Sequence, residues 1–76
     1  MQEKIAALLK DINGKDDISD FNIDLFTNDM LDSLGIAQLV AALEETFNIE
    51  IDPEDILPEN FSTVNEINAL VRKYKA

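Results

Sequence analysis

Three stretches of this chain repeat their apolar residues at the period of an α-helix. Ile5, Leu8, Leu9 and Ile12 stand at i, i+3, i+4 and i+7, which places them on one helical face. The same period returns in Ile36, Leu39, Val40, Leu43 and Phe47, and again in Val64, Ile67, Leu70, Val71 and Tyr74. No stretch alternates in the way a half-buried strand does. A chain with three such faces must bury them against one another. The expected fold is all-α: a small bundle of three main helices plus one short helix, with a long first loop.

Punctuation along the chain sets the expected boundaries. Helix one spans roughly Gln2 to Asn13, stopped at Asn13-Gly14 because Gly accepts the left-handed conformation that closes a helix. Residues 14 to 31 form the long connection. Lys15-Asp16-Asp17 and Ser19-Asp20 in it are turn-prone, but Ile18, Phe21, Ile23, Leu25 and Phe26 are apolar. Five such anchors predict an ordered loop pinned to the core, with a helical turn near Asp24–Phe26. Helix two spans roughly Ser33 to Phe47. Asp52-Pro53 opens a short helix, Asp as cap and Pro in its first turn, and Pro58 ends it. The last helix starts at Thr63, where Thr63 and Glu66 make a capping box. Phe61 is expected to pack against Ile67.

Length and residue usage narrow the function. With 76 residues the chain is expected to be a single domain, residues 1–76, and only marginally stable. It has no Cys and no His, so disulfides and Cys/His zinc sites are excluded and packing must supply the fold. No window fits a calcium loop: Pro53 and Pro58 interrupt one acidic stretch and Gly14 is misplaced in the other. No metal site is expected. No apolar run reaches membrane-spanning length. Met1-Gln2-Glu3-Lys4 reads as the opening of an amphipathic helix, not a signal peptide. A cytoplasmic monomer is expected.

The formal net charge is −10, and no Lys or Arg lies between Lys15 and Arg72. Such a surface repels nucleic acid and anionic membranes, so neither is expected as a partner. It steers basic proteins toward itself. Enzymatic chemistry is not expected. There is no imidazole or thiol to act as base or nucleophile, and a bundle of 76 residues has little room for a cleft that sets two carboxylates face to face.

What stands out is Met30-Leu31-Asp32-Ser33-Leu34-Gly35-Ile36, where the polar connection meets the second helix. Asp32 suits the N-cap, and Ser33 then stands at the positive end of a helix dipole. A phosphoryl group on Ser33 would be favoured there. Ser is also an ordinary residue for a cap or first turn, and the local pattern does not choose between the two readings. Beyond Ser33, a second stripe of helix two reads Leu34, Ala37, Ala41, Glu44 and Glu45: small and apolar, then acidic. Small residues permit close approach by a partner and acids steer it. Ala37 and Ala42 suit a partner surface and a helix contact equally, whereas Leu34 and Ala41 lie on the Ser33 side.

Around Leu31-Asp32-Ser33-Leu34 the chain resembles the acyl and peptidyl carrier proteins. The resemblance runs essentially from end to end. It takes in the Asp-Ser-Leu at the start of helix two, Glu44-Glu45, Phe47-Asn48-Ile49-Glu50-Ile51 and Phe61-Ser62-Thr63-Val64. It implies that a phosphopantetheinyl transferase moves 4′-phosphopantetheine from coenzyme A onto Ser33. The arm ends in the thiol that the polypeptide lacks, and cargo rides there as a thioester. Asp32 is then expected to engage the transferase and its metal. Leu34, Ala41, Glu44, Glu45 and Glu50 become the partner-facing residues. The implied partners are an acyl- or aminoacyl-activating ligase, synthases and acyltransferases with basic docking surfaces.

The resemblance implies first an acyl carrier of fatty acid, polyketide or related lipid synthesis. An aminoacyl carrier, D-alanyl or peptidyl, is the alternative. Leu25-Phe26 followed by Met30 to Gly35 resembles the D-alanyl carriers, although their later Trp is absent. Fatty-acid carriers usually place acids just after Asp-Ser-Leu and one turn later, where this chain has Gly35 and Gln38. A further alternative is an acidic helical adaptor with no prosthetic group.

Overall fold

α1 occupies Gln2–Asn13, α2 Ser33–Phe47 and α3 Val64–Lys75 in a computed structural model that describes residues 1–14 and 18–75. Each helix packs on the other two. Among the described residues there are no strands. The fold is all-α, and α1 and α2 have the bounds that periodicity and punctuation predict.

Local chemistry sets the helix ends. Gly14 takes the left-handed conformation (φ 66°) and its amide donates to Lys10 O at 2.8 Å. Asn48 closes α2 in the same conformation (φ 55°), a role that Asn tolerates better than most residues. Thr63 stands just outside α3, its hydroxyl accepting from the Glu66 amide at 3.0 Å. The expected helix start at Thr63 is therefore a cap, one residue before the helix proper.

The helical faces meet in a core where Ile5 and Leu9 of α1, Leu39 and Leu43 of α2, and Val64, Ile67 and Val71 of α3 lose all solvent exposure. Burying a side chain of this size contributes about 1.5–3 kcal/mol. Phe61 is fully buried in the same cluster as Ile67. Within the expected inward stripe of α2, Ile36 and Phe47 are only half-buried.

The long first connection is built as an anchored loop. Ile18 and Leu25 are buried in the core, and Phe21, Ile23 and Phe26 pack on it half-buried. The expected turn is present: Asp24 accepts from the amides of Phe26 and Thr27, each at 3.0 Å, and the Asn28 amide reaches Asp24 O at 3.2 Å. Two backbone bonds then join the loop to the far end of the sequence. Leu25 N donates to Ser62 O at 2.7 Å, and Asn65 N donates to Phe21 O at 3.1 Å. A side-chain chain reinforces them, Gln2 to Asn65 and Asn65 to Asn22. The turn expected at Lys15-Asp16-Asp17 lies outside the described residues.

The single short helix expected after Asp52 is instead two 3-10 helices, Pro53–Asp55 and Pro58–Phe61. Asp52 caps the first, accepting from the Glu54 amide at 2.9 Å. Pro58, expected as a terminator, also starts the second, since Pro lacks only a donor that a first turn leaves unpaired anyway. Two prolines five residues apart leave no room for a longer α-helix between them.

Candidate functional site at the entrance to α2

Asp32 is extended (φ −136°, ψ −175°), and its Oδ1 accepts from the Gly35 amide at 2.7 Å. Its own carbonyl accepts from the Ile36 amide at 2.8 Å, which opens the helical ladder. This is N-cap geometry, and it places Ser33 and Leu34 in the first turn, where amides have no intrahelical partner. Ser33 is exposed. Among the described residues nothing hydrogen-bonds its hydroxyl.

The approach to Asp32 is stiff. Met30 N donates to Leu25 O at 2.8 Å, and Asp29 N to Phe26 O at 3.1 Å, with Asp29 in the left-handed region (φ 61°). A non-glycine residue held there stores modest strain, which the surrounding bonds must offset. Leu31 is buried. The Asn13 side-chain amide donates to Leu9 O at 2.7 Å and to Met30 O at 3.4 Å, tying the end of α1 to the run that leads into α2. Ser33 thus stands on a platform built from three parts of the chain.

Beside it lies an open cleft of about 430 Å³ lined by Ile12, Asn13, Asp29, Met30, Leu31, Asp32, Leu34, Gly35 and Gln38. Its wall mixes apolar side chains with the amides of Asn13 and Gln38 and the carboxylates of Asp29 and Asp32. The cleft residues Ile12, Asn13, Gly35 and Gln38 were not among those expected at a site. The signal that could have found one of them is a glycine in the first turn of a helix, where propensity disfavours it.

The partner-facing candidates fall in different settings. Leu34 is 68% exposed, the most exposed large apolar residue described. Ala41 and Glu45 are exposed on the same helix, and Glu50 is exposed in the connection beyond it. Ala37 is exposed and Ala42 half-buried. Glu44 differs: it is half-buried, and its carboxylate accepts from the Ile51 amide at 2.9 Å. That bond ties Glu44 to the connection that follows α2.

Chemically, this arrangement presents a hydroxyl and does not activate it. Asp32 spends one carboxylate oxygen on the cap, and no imidazole or thiol exists in the chain. Among the described residues no cluster of three or more acidic groups could hold a metal ion. No described helix is long and apolar enough to cross a membrane. Ser33 is exposed next to an open cleft, which leaves room for a covalently attached group there. A phosphodiester on its oxygen would lie at the positive end of the α2 dipole with unpaired amides nearby.

Residues 3–71 match the family described as "Phosphopantetheine attachment site". Among similar proteins, the D-alanyl carrier protein of Lactococcus lactis subsp. lactis (strain IL1403) is 33% identical over 76 residues, covering 99% of this chain and 96% of that protein. The D-alanyl carrier protein of Leuconostoc mesenteroides subsp. mesenteroides is 31% identical over 71 residues, covering 93% and 91%. The probable acyl carrier protein PigG of a Serratia strain is 35% identical over 65 residues, covering 86% and 75%.

Proposed function

The chain belongs to the phosphopantetheine attachment family of carrier proteins, and from that premise we propose that it is an aminoacyl carrier of the D-alanyl type, modified on Ser33. The family's covalent group is 4′-phosphopantetheine, which when attached supplies the thiol on which cargo travels. The observation that carries the assignment to Ser33 is its exposed hydroxyl directly after the Asp32 cap. The Ser33 oxygen bonds to the phosphorus of the pantetheine phosphate as the bond to the adenosine bisphosphate of coenzyme A breaks. The hydroxyl proton leaves to the transferase.

The cargo reading reverses the order in which the sequence ranks its alternatives. Several relatives of nearly full coverage carry the name D-alanyl carrier protein. No charged residue occurs from Ser33 through Leu43. The face of α2 that runs on from the attachment residue is therefore neutral, with Leu34, Ala37, Gln38 and Ala41 exposed. Partners that dock there need apolar contact more than charge. Glu45 and Glu50 supply the acidic steering further along, while Glu44 supports the fold. Acyl carriage is the second reading, favoured by the likeness to PigG. The adaptor without a prosthetic group loses its basis in the family match.

The partners that follow are a phosphopantetheinyl transferase and an adenylating ligase that loads a small amino acid. The test is intact mass after incubation with coenzyme A and a broad-range transferase. A gain is expected for the wild type and none for Ser33→Ala. The modified protein is then offered D-alanine or medium-chain fatty acids with ATP and the matching ligase. Loading of D-alanine supports the reading; loading of fatty acids alone sinks it.

A further inference from the structure

Asn13-Gly14 is the one place in the chain where asparagine is followed by glycine; every other asparagine precedes a residue with a side chain. The pair has a chemistry of its own. The backbone nitrogen of the following residue attacks the asparagine Cγ, and glycine obstructs that attack least. The bond from Cγ to the side-chain nitrogen breaks, and ammonia leaves with the proton lost by the Gly14 nitrogen. Water then opens the cyclic imide at one carbonyl or the other, giving aspartate or isoaspartate. Solvent water is the only co-reactant.

In the folded chain both reacting groups are engaged. The Gly14 amide donates to Lys10 O at 2.8 Å, closing α1. The Asn13 side-chain nitrogen donates to Leu9 O at 2.7 Å and to Met30 O at 3.4 Å. Attack requires the Gly14 nitrogen to give up its proton and the Asn13 amide to reach it, so both must first leave these partners. Release of that kind comes most easily at a helix end, where the last turn frays.

We propose that Asn13 is the deamidation site of this chain, that the cap closing α1 holds the reaction back, and that its completion unfastens α1 from the entrance to α2. The donor departs with the ammonia. A carboxylate then stands where an N–H met the carbonyls of Leu9 and Met30, and two acceptors facing one another repel. The new negative charge lies at the C-terminal end of the α1 dipole, which disfavours it. It also enters a cleft whose wall already holds Asp29 and Asp32. Isoaspartate adds a methylene to the backbone at the residue before the cap. Met30 stands three residues before Ser33, so the loss falls on the platform that carries the attachment residue. The proposal goes beyond the carrier reading and does not depend on it.

The test is to hold the full chain in mildly alkaline buffer, with and without denaturing guanidinium, and to follow ammonia release and peptide masses with time. Peptide mapping is expected to place the first conversion at Asn13, as aspartate and isoaspartate together. Its rate in native buffer is expected to be roughly tenfold or more below that in guanidinium, because only the opened helix end reacts. Asn13→Asp reproduces one product. It is expected to have a lower denaturation midpoint than the wild type and shifted amide resonances from Met30 to Ser33. First conversion at another asparagine overturns the proposal, as do equal rates with and without guanidinium. So does Asn13→Asp with the wild-type midpoint and unshifted resonances. Should Asn13→Asp fail to fold, Asn13→Ala, which removes the donor and adds no charge, must show those shifts.

Discussion

The Tyr74 hydroxyl donates to the Asp55 carboxylate, joining the last turns of α3 to the first 3-10 helix. The same hydroxyl accepts from the Asp52 amide at 3.1 Å, and Lys73 Nζ lies 3.1 Å from Asp55. Lys75 adds a bond to Phe47 O at 3.3 Å, at the exit of α2. One end of the bundle is therefore fastened by the last basic and aromatic residues of the chain. The helix dipole favours cations at this end of α3 in any case.

This fastening makes stability depend on pH at both extremes. The hydrogen bond from Tyr74, and then that from Lys73, hold the Asp55 carboxyl below its ordinary pKa of 3.8. Its contribution is complete above that ordinary value and is lost as pH falls through the lower folded one. The bond to Asp55 raises Tyr74 above 10.0 and Lys73 above 10.5. Their contribution is complete below those values and is lost as pH rises through the higher folded ones. Asp55→Asn is expected to melt below the wild type at neutral pH, with the gap closing in strong acid. Thermal melts of both proteins across pH check this; a gap that is constant into strong acid contradicts it.

Leu34 and Leu43 are both leucines of α2 in opposite settings. Leu43 is fully buried and Leu34 is 68% exposed. Leu43→Ala is expected to cost about 2–5 kcal/mol, enough to unfold much of a marginal domain. Leu34→Ala is expected to leave stability within about 0.5 kcal/mol while slowing loading by the partner ligase. Urea melts and steady-state loading rates separate the two effects.

Glu44 and Glu45 are adjacent acids with unequal settings. Glu44→Ala removes the acceptor of the Ile51 amide and is expected to cost about 1–3 kcal/mol. Glu45→Ala touches no bond of the described chain and is expected to be neutral for stability, but to weaken docking in a salt-dependent way. Equal denaturation midpoints for the two variants would count against this division.

Asn68 of α3 buries its side-chain oxygen without a hydrogen-bond partner among the described residues. An unpaired buried carbonyl destabilises, and Ala is the better helix former. Asn68→Ala is expected to raise stability by about 1 kcal/mol, read from the urea midpoint. A lower midpoint would mean that the amide makes contacts that the truncation removes.

Much of the framework was legible because its causes are local. The 3.6-residue period places Leu9, Leu39 and Ile67 inside, and the caps at Gly14, Asp32 and Thr63 act within a single turn. The Asp32-Ser33 join was legible for the same reason. The two 3-10 helices were half legible: Pro53 and Asp52 announce the first, but Pro58 serves as a start as well as a stop. Glu44 reads as a docking acid from its place on the stripe with Leu34, Ala41 and Glu45 and from the family resemblance. Its bond to Ile51 depends on how the chain turns after Asn48, which periodicity does not encode.

What the sequence alone determined is the helical bundle, its poverty of catalytic groups and a serine at a helix entrance, since each follows from neighbours within a turn or two. Only the tertiary structure decided that Leu25 and Phe21 hydrogen-bond to Ser62 and Asn65, that Tyr74 fastens Asp55, and that Gly35 is buried against Leu31, Asp32 and Ile12. Those contacts join chain segments brought together by burial of the shared core, and their geometry exists only once that core has formed.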